Sequence, residues 1–138
     1  MKARFVCTLS ICLVLYFHSG AVTANSSILE KYAWTNRLLI LITNKKDTSL
    51  ETQVKSFFES YACEVDDRNL TLLHFRTDKL VVAQLPKAMH SQTGLWLLGY
   101  DGSIKDFSED GQLLNRLFRT IDGMPMRQDE MASAPACD

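Results

Sequence analysis

Cys63 and Cys137 carry the most direct chemistry in this 138-residue chain, because a thiolate is both a nucleophile and a redox centre. A working cysteine needs an electropositive, partly open surrounding that favours the thiolate. Cys63 instead has Glu64, Asp66 and Asp67 beside it. It also lies at the far end of a helical pattern, turned away from that helix's apolar stripe. A helix C-terminus disfavours an anion. These surroundings favour a structural disulfide, an intermolecular bridge or an inert thiol. The catalytic alternative is a thiol peroxidase or disulfide-exchange enzyme that uses Cys63, with Cys137 as its resolving partner.

A second group has a different character. Trp34 stands three residues before Arg37, where a central strand begins, and the pair suits an aromatic floor with a guanidinium above it, a place for an anionic ligand. The structural alternative has Trp34 covering the sheet edge while Arg37 pairs with Asp67 or Asp101. Arg68 completes this candidate ligand or structural cluster. His74, between Leu73 and Phe75, reads as a half-buried structural histidine, and His90 falls in a loop. Two histidines and two cysteines without close ligand spacing make zinc improbable, and Glu64 to Asp67 lacks the alternation and glycine of a calcium loop. That run reads as a solvated turn. Met124, Met126 and Met131 read as gap-fillers at the end of the fold. No nucleophile elbow, P-loop or dinucleotide fingerprint is present, so no cofactor is implied.

The elements that must position these residues follow from hydrophobic pattern. Leu38 to Ile42 is a short continuous apolar run, the mark of a strand covered on both faces. Thr48-Ser49-Leu50-Glu51 gives a capping box, and Leu50, Val54, Phe57, Phe58 and Tyr61 follow as a helical stripe. Asn69 to Phe75 predicts a second strand. Leu80 to Val82 is a possible short strand, and Pro86 to His90 a helical turn. Gly94 to Gly99 predicts a third strand, Asp101-Gly102 a hairpin, and Ile104 to Phe107 the returning strand. Ser108 then caps a last helix with Leu113, Leu114, Leu117, Phe118 and Ile121 inward. Glu109 and Asp110 suit its positive end, and Gly123 and Pro125 stop it.

A βαβ half followed by a β-hairpin and a C-terminal helix is the order of an α/β, thioredoxin-like fold, with a right-handed crossover in its first half. Enzymes of that fold place the reactive cysteine where the first strand meets the first helix. Here Thr43-Asn44-Lys45-Lys46-Asp47-Thr48 stands there, without one. Nor does a proline directly precede the third strand, where Thr93-Gly94 is found. The usual redox site is missing.

Residues 1–24 read as a secretory signal peptide: Lys2 and Arg4, an apolar run from Phe5 to Phe17, then Val22-Thr23-Ala24 before the cut. The run falls short of the ~20 residues a membrane span requires. No stable anchor is expected after cleavage, and the location is secreted or periplasmic. Cleavage after Ala24 leaves 114 of the 138 residues, one domain over 25–130 and a disordered tail over 131–138. Lys2 and Arg4 leave with the leader, so 13 of the 15 basic residues face 16 acidic ones, a net charge near −3. That balance argues against nucleic acid. The cysteines Cys7 and Cys12 also leave. Asn25-Ser26-Ser27 and Asn69-Leu70-Thr71 fit the N-glycosylation pattern, which matters only in a eukaryotic host.

Trp34-Thr35-Asn36-Arg37, Asp67-Arg68, Leu98-Gly99-Tyr100-Asp101-Gly102, and Ile121-Asp122-Gly123-Met124-Pro125-Met126-Arg127 with Glu130 together resemble one family. It is the secreted thioredoxin-like, peroxiredoxin-related domain of unknown function shared by bacterial exported proteins and by animal equarin and sushi-repeat extracellular proteins. The similarity runs from about Ile28 to Met131. The chain departs from the pattern at Tyr100, where a basic residue is expected, and in a short Arg76 to Thr93 stretch. The resemblance implies kinship with thioredoxins and peroxiredoxins but brings no activity. Together these readings describe a redox-inactive binding or accessory module with a protein partner.

Overall fold

Seven consecutive residues, Arg37–Thr43, form strand β1, and every one is buried. A computed structural model describes residues 28–44, 48–78 and 84–133 together with Cys137. The leader, Asn25 and the possible strand at Leu80 to Val82 lie outside the described residues. After β1 come α1 (Thr48–Ser60), α2 (Ala62–Asp67), β2 (Leu70–Arg76), β3 (Gly94–Leu98) and β4 (Ile104–Ser108). A 3-10 stretch over Gly111–Arg116 leads into α3 (Leu117–Asp122), and α4 (Pro125–Ser133) follows.

The strands form one sheet in the order β2-β1-β3-β4. β1 runs parallel to β2, with Leu39 opposite Leu72, and antiparallel to β3, with Ile40 opposite Trp96. β4 is antiparallel to β3, and its register shifts at Leu97/Leu98. The chain is thus a mixed α/β domain with β1 in the interior of the sheet.

Alternation along β1 builds two cores. Leu39 and Leu41 meet Leu50, Val54, Leu113, Leu117 and Ile121 on the helical face. Leu38, Ile40 and Ile42 meet Phe75, Leu85, Met89 and Trp96 on the other, where 3-10 turns at Glu30–Tyr32 and Lys87–Met89 replace helices as cover. Each fully buried Leu or Ile contributes about 1.5–3 kcal/mol.

Several local expectations need correction. The first helix breaks at Tyr61, and the Glu64–Asp67 run taken as a solvated turn belongs to α2. Thr48, expected as the cap, is the first residue of α1, and the Glu51 carboxylate faces Arg76 at 3.5 Å and His74 at 3.6 Å. The last helix is capped by Asp110, whose side chain accepts from the Gln112 N–H, while Ser108 Oγ accepts from Leu113 N–H. Gly123 ends α3, but Pro125 opens α4 instead of stopping the chain, since proline at the first helical position has no N–H to waste. Residues Met131 to Ser133, expected in a disordered tail, are the last turn of α4. Of the three methionines, only Met124 packs on the core; Met126 and Met131 are exposed.

Candidate functional site

Arg37 heads β1, yet only 1% of it is exposed. A guanidinium so placed needs a counter-charge and several acceptors. Glu130 of α4 supplies the charge, accepting from Nη1 at 3.0 Å and Nη2 at 3.2 Å. Nη1 also donates to the Arg68 carbonyl at 2.9 Å and to Tyr100 Oη at 3.0 Å. The Tyr100 ring lies 4.0 Å below the guanidinium carbon. The aromatic floor is therefore Tyr100 and not Trp34, and neither Asp67 nor Asp101 is the partner of Arg37.

The pair belongs to a larger network. Arg68, just after α2, donates Nε and Nη2 to the two carboxylate oxygens of Asp122, at 2.9 and 2.7 Å, and lies over the Phe118 ring. Arg127 of α4, 3% exposed, donates to the Asp67 carboxylate, to the Asp67 carbonyl at 2.8 Å and to Asp122 at 3.3 Å. Its Nη1 also stands 3.5 Å from Glu130. Three arginines thus meet three carboxylates, which join the start of β1 to α2, α3 and α4.

The charges perturb one another. Burial pushes the Glu130 carboxyl up, but hydrogen bonds from Arg37 and Tyr100 outweigh it and hold it below its usual range. Burial raises the Tyr100 phenol, and the hydrogen bond to Glu130 adds to that. Burial opposes the Arg127 charge, but the hydrogen bond and attraction to Asp67 more than offset this, and its pKa is raised.

Beside this network opens a cavity of about 640 Å³, whose walls include Trp34, Tyr100, Lys105, Arg119, Met124 and Met126. Arg37 and Asp101 also border it. Asp101 serves the hairpin: it accepts from the Ser103 N–H and hydroxyl and from Lys105 Nζ at 3.2 Å. Gly102 adopts the left-handed conformation the turn requires, at φ 72°. Trp34 shares a positive φ, 63°, unusual for a bulky residue, and its N–H donates to the Tyr100 carbonyl at 2.8 Å. It is 68% exposed.

The five residues singled out from the sequence therefore divide. Arg37, Asp67 and Arg68 join the charge network; Trp34 and Asp101 border the cavity with Arg37. Sequence reasoning missed Glu130 and Arg127 as members, although both stand in the closing motif that carried the family resemblance. Tyr100, noted only as a departure, is the ring that supports Arg37.

Cys63 and Cys137 form a disulfide that ties α2 to the segment beyond α4, across 74 residues of sequence. At the other end of β1, Thr43 Oγ1 lies 2.7 Å from His74 Nε2, and His74 Nδ1 is 3.6 Å from Glu51. The order hydroxyl, imidazole, carboxylate resembles an acyl-transfer relay. With Thr43 1% exposed, however, no substrate can reach the hydroxyl, and the trio acts as a tie between β1, β2 and α1. Among the described residues no group of three or more His, Cys, Asp or Glu is placed to hold a metal ion, and no described helix is long and apolar enough to cross a membrane.

Fold and site together define, over the described residues, a mixed α/β fold sealed at one end by a six-membered charge network. A family model described as "Domain of unknown function (DUF4174)" matches residues 28–130, from before β1 to Glu130, and the chain belongs to that family. No curated protein and no solved structure matches it.

Proposed function

We propose that the protein is an exported, thioredoxin-like binding module that performs no thiol catalysis and works beside a protein partner outside the cytoplasm. The thioredoxin-like reading is supported by the sheet order β2-β1-β3-β4, with β1 and β2 parallel and β3 and β4 antiparallel hairpin strands. The single observation that carries the functional reading is the Cys63–Cys137 disulfide. It occupies both cysteines that lie beyond the leader-like segment, in a covalent tie between α2 and the segment after α4. The junction of β1 and α1, where a thioredoxin-type nucleophile stands, has no cysteine. A pair that staples the chain's end fits an oxidising compartment, and the leader-like pattern of residues 1–24 points the same way.

The test is turnover. Protein recovered from outside the cytoplasm should begin at Asn25 by mass spectrometry and should consume neither hydrogen peroxide nor a model disulfide catalytically, oxidised or freshly reduced. Cys63→Ser, assayed where it remains folded, should behave like the reduced wild type. Catalytic turnover that Cys63→Ser abolishes refutes this reading and establishes a thiol enzyme; an intact Met1 form held in the cytoplasm refutes export.

A further inference from the structure

The cavity beside Tyr100 has a charge balance that the fold does not explain. Lys105 is neutralised by Asp101 at 3.2 Å, and Arg37 by Glu130 at 3.0 Å. Arg119 borders the same space, and among the described residues it has no carboxylate partner. Among the described residues that border it, the cavity therefore carries one positive charge in excess. Arg37 Nε, fully buried at its border, has no hydrogen-bond partner. Pro125 and Met126, the first turn of the nine-residue helix α4, lie in the wall, but so do Thr120 and Gly123 at the C-terminal end of α3, so the two helix dipoles oppose each other there and the side-chain charge of Arg119 decides the sign.

The remaining wall is apolar: Trp34, Tyr100, Met124 and Met126. Trp34 is the informative member. Its indole is exposed and its backbone is held at φ 63° by the bond to the Tyr100 carbonyl. Strain of this kind persists where the surroundings over-determine it, and it clusters at ligand sites. An exposed indole at a cavity mouth offers a stacking plate, and Met124 and Met126 offer polarizable, adaptable walls. The volume of about 640 Å³ falls within the range of roughly 300–1,000 Å³ found for small-molecule sites.

We propose that this cavity binds a small amphipathic monoanion, a carboxylate on an aromatic or compact apolar body. The carboxylate faces Arg119, and the apolar body lies between Trp34 and the methionines. One excess positive charge matches one carboxylate. A cation is repelled, and a neutral isostere leaves Arg119 unanswered. The proposal rests on the binding-module reading above and specifies its ligand.

The probe is 2-naphthoate, compared with the neutral 2-naphthamide and titrated into the oxidised protein while backbone amide shifts and tryptophan fluorescence are followed. Saturable naphthoate binding is expected, with shifts concentrated at Trp34, Tyr100, Lys105, Met124 and Met126, and naphthamide about fivefold weaker or worse. Arg119→Gln, an exposed change that spares the core, should cost naphthoate about fivefold in affinity and leave naphthamide unchanged. Trp34→Ala should weaken both. Lys105→Gln, which unmasks Asp101, provides a second charge variant and should weaken naphthoate alone. Equal affinity for acid and amide, indifference to both charge variants, or no saturation by about 10 mM overturns the proposal. Peroxide turnover is read on the same protein without probe, so failure of the non-catalytic reading is seen separately from failure here.

Discussion

Removing the carboxylate of Glu130 should destabilise the domain far more than its position on the last helix suggests. Arg37 is 1% exposed and Glu130 27%, so the pair is buried on one side and partly wet on the other. Breaking a buried pair by deleting one partner costs about 3–5 kcal/mol, because the surviving charge is left uncompensated. Water reaching the Glu130 side reduces that, while Arg37 keeps its bonds to the Arg68 carbonyl and Tyr100. Glu130→Ala is therefore expected to cost about 2–4 kcal/mol, out of a total stability of about 5–15 kcal/mol. Glu130→Gln, which keeps an acceptor but no charge, should cost about half as much. Urea unfolding followed by circular dichroism reads the loss directly, and the alanine variant should melt roughly 10–20 °C lower. Arg37→Met completes a double-mutant cycle, in which the two losses should be strongly non-additive. If both Glu130 variants stay within about 0.5 kcal/mol of wild type, or the cycle shows no coupling, the charge network does not hold the C-terminal helix in the way described.

Three further outcomes follow from the structure. Glu130, Asp101 and Asp106 are all held below their ordinary carboxylate values in the folded protein. Their contribution is full above the unfolded values of about 4, and it is lost as pH falls through the folded ones. The urea midpoint should therefore drop on acidification below that range, less steeply in Glu130→Gln; an unchanged acid limb in that variant contradicts the assignment. The raised Tyr100 acts at the opposite end, with stability present below pH of about 10 and lost as pH rises through the folded value. Reducing the Cys63–Cys137 bond releases a 74-residue closure and should cost about 2–5 kcal/mol. A loss under about 1 kcal/mol in urea with reductant shows that the staple adds little to stability.

The sheet was legible because its residues announce themselves locally. Leu38 to Ile42 is apolar at every position, and a strand with both faces buried is what such a run makes when too short for a helix. The Asp101-Gly102 turn likewise follows from one glycine in a left-handed conformation. The charge network was not legible, because Arg37 and Glu130 stand 93 residues apart and ion pairs have no spacing rule. Asp67 and Asp101 were reasonable partners by composition and wrong by geometry. α4 escaped for a different reason: Gly123 followed by Pro125 is a stop signal to one helix and a start signal to the next, and its periodicity is too weak to decide between them. Cys137 was legible only as a possible partner, since distance along the chain says nothing about approach in space.

The strand that sits inside the sheet is also the first strand of the domain to be made, and its leading charge is answered only by the last helix. On a ribosome Arg37 emerges long before Glu130, and β3, which must flank β1 opposite β2, comes in between. No shorter nascent piece can both close the sheet and neutralise that guanidinium. Truncated or stalled chains should therefore leave unsheltered apolar strands instead of a smaller stable domain. The fold is therefore closed by its latest-made described helix and not by its sheet, so its cooperativity runs from α4 back to the first residue of β1.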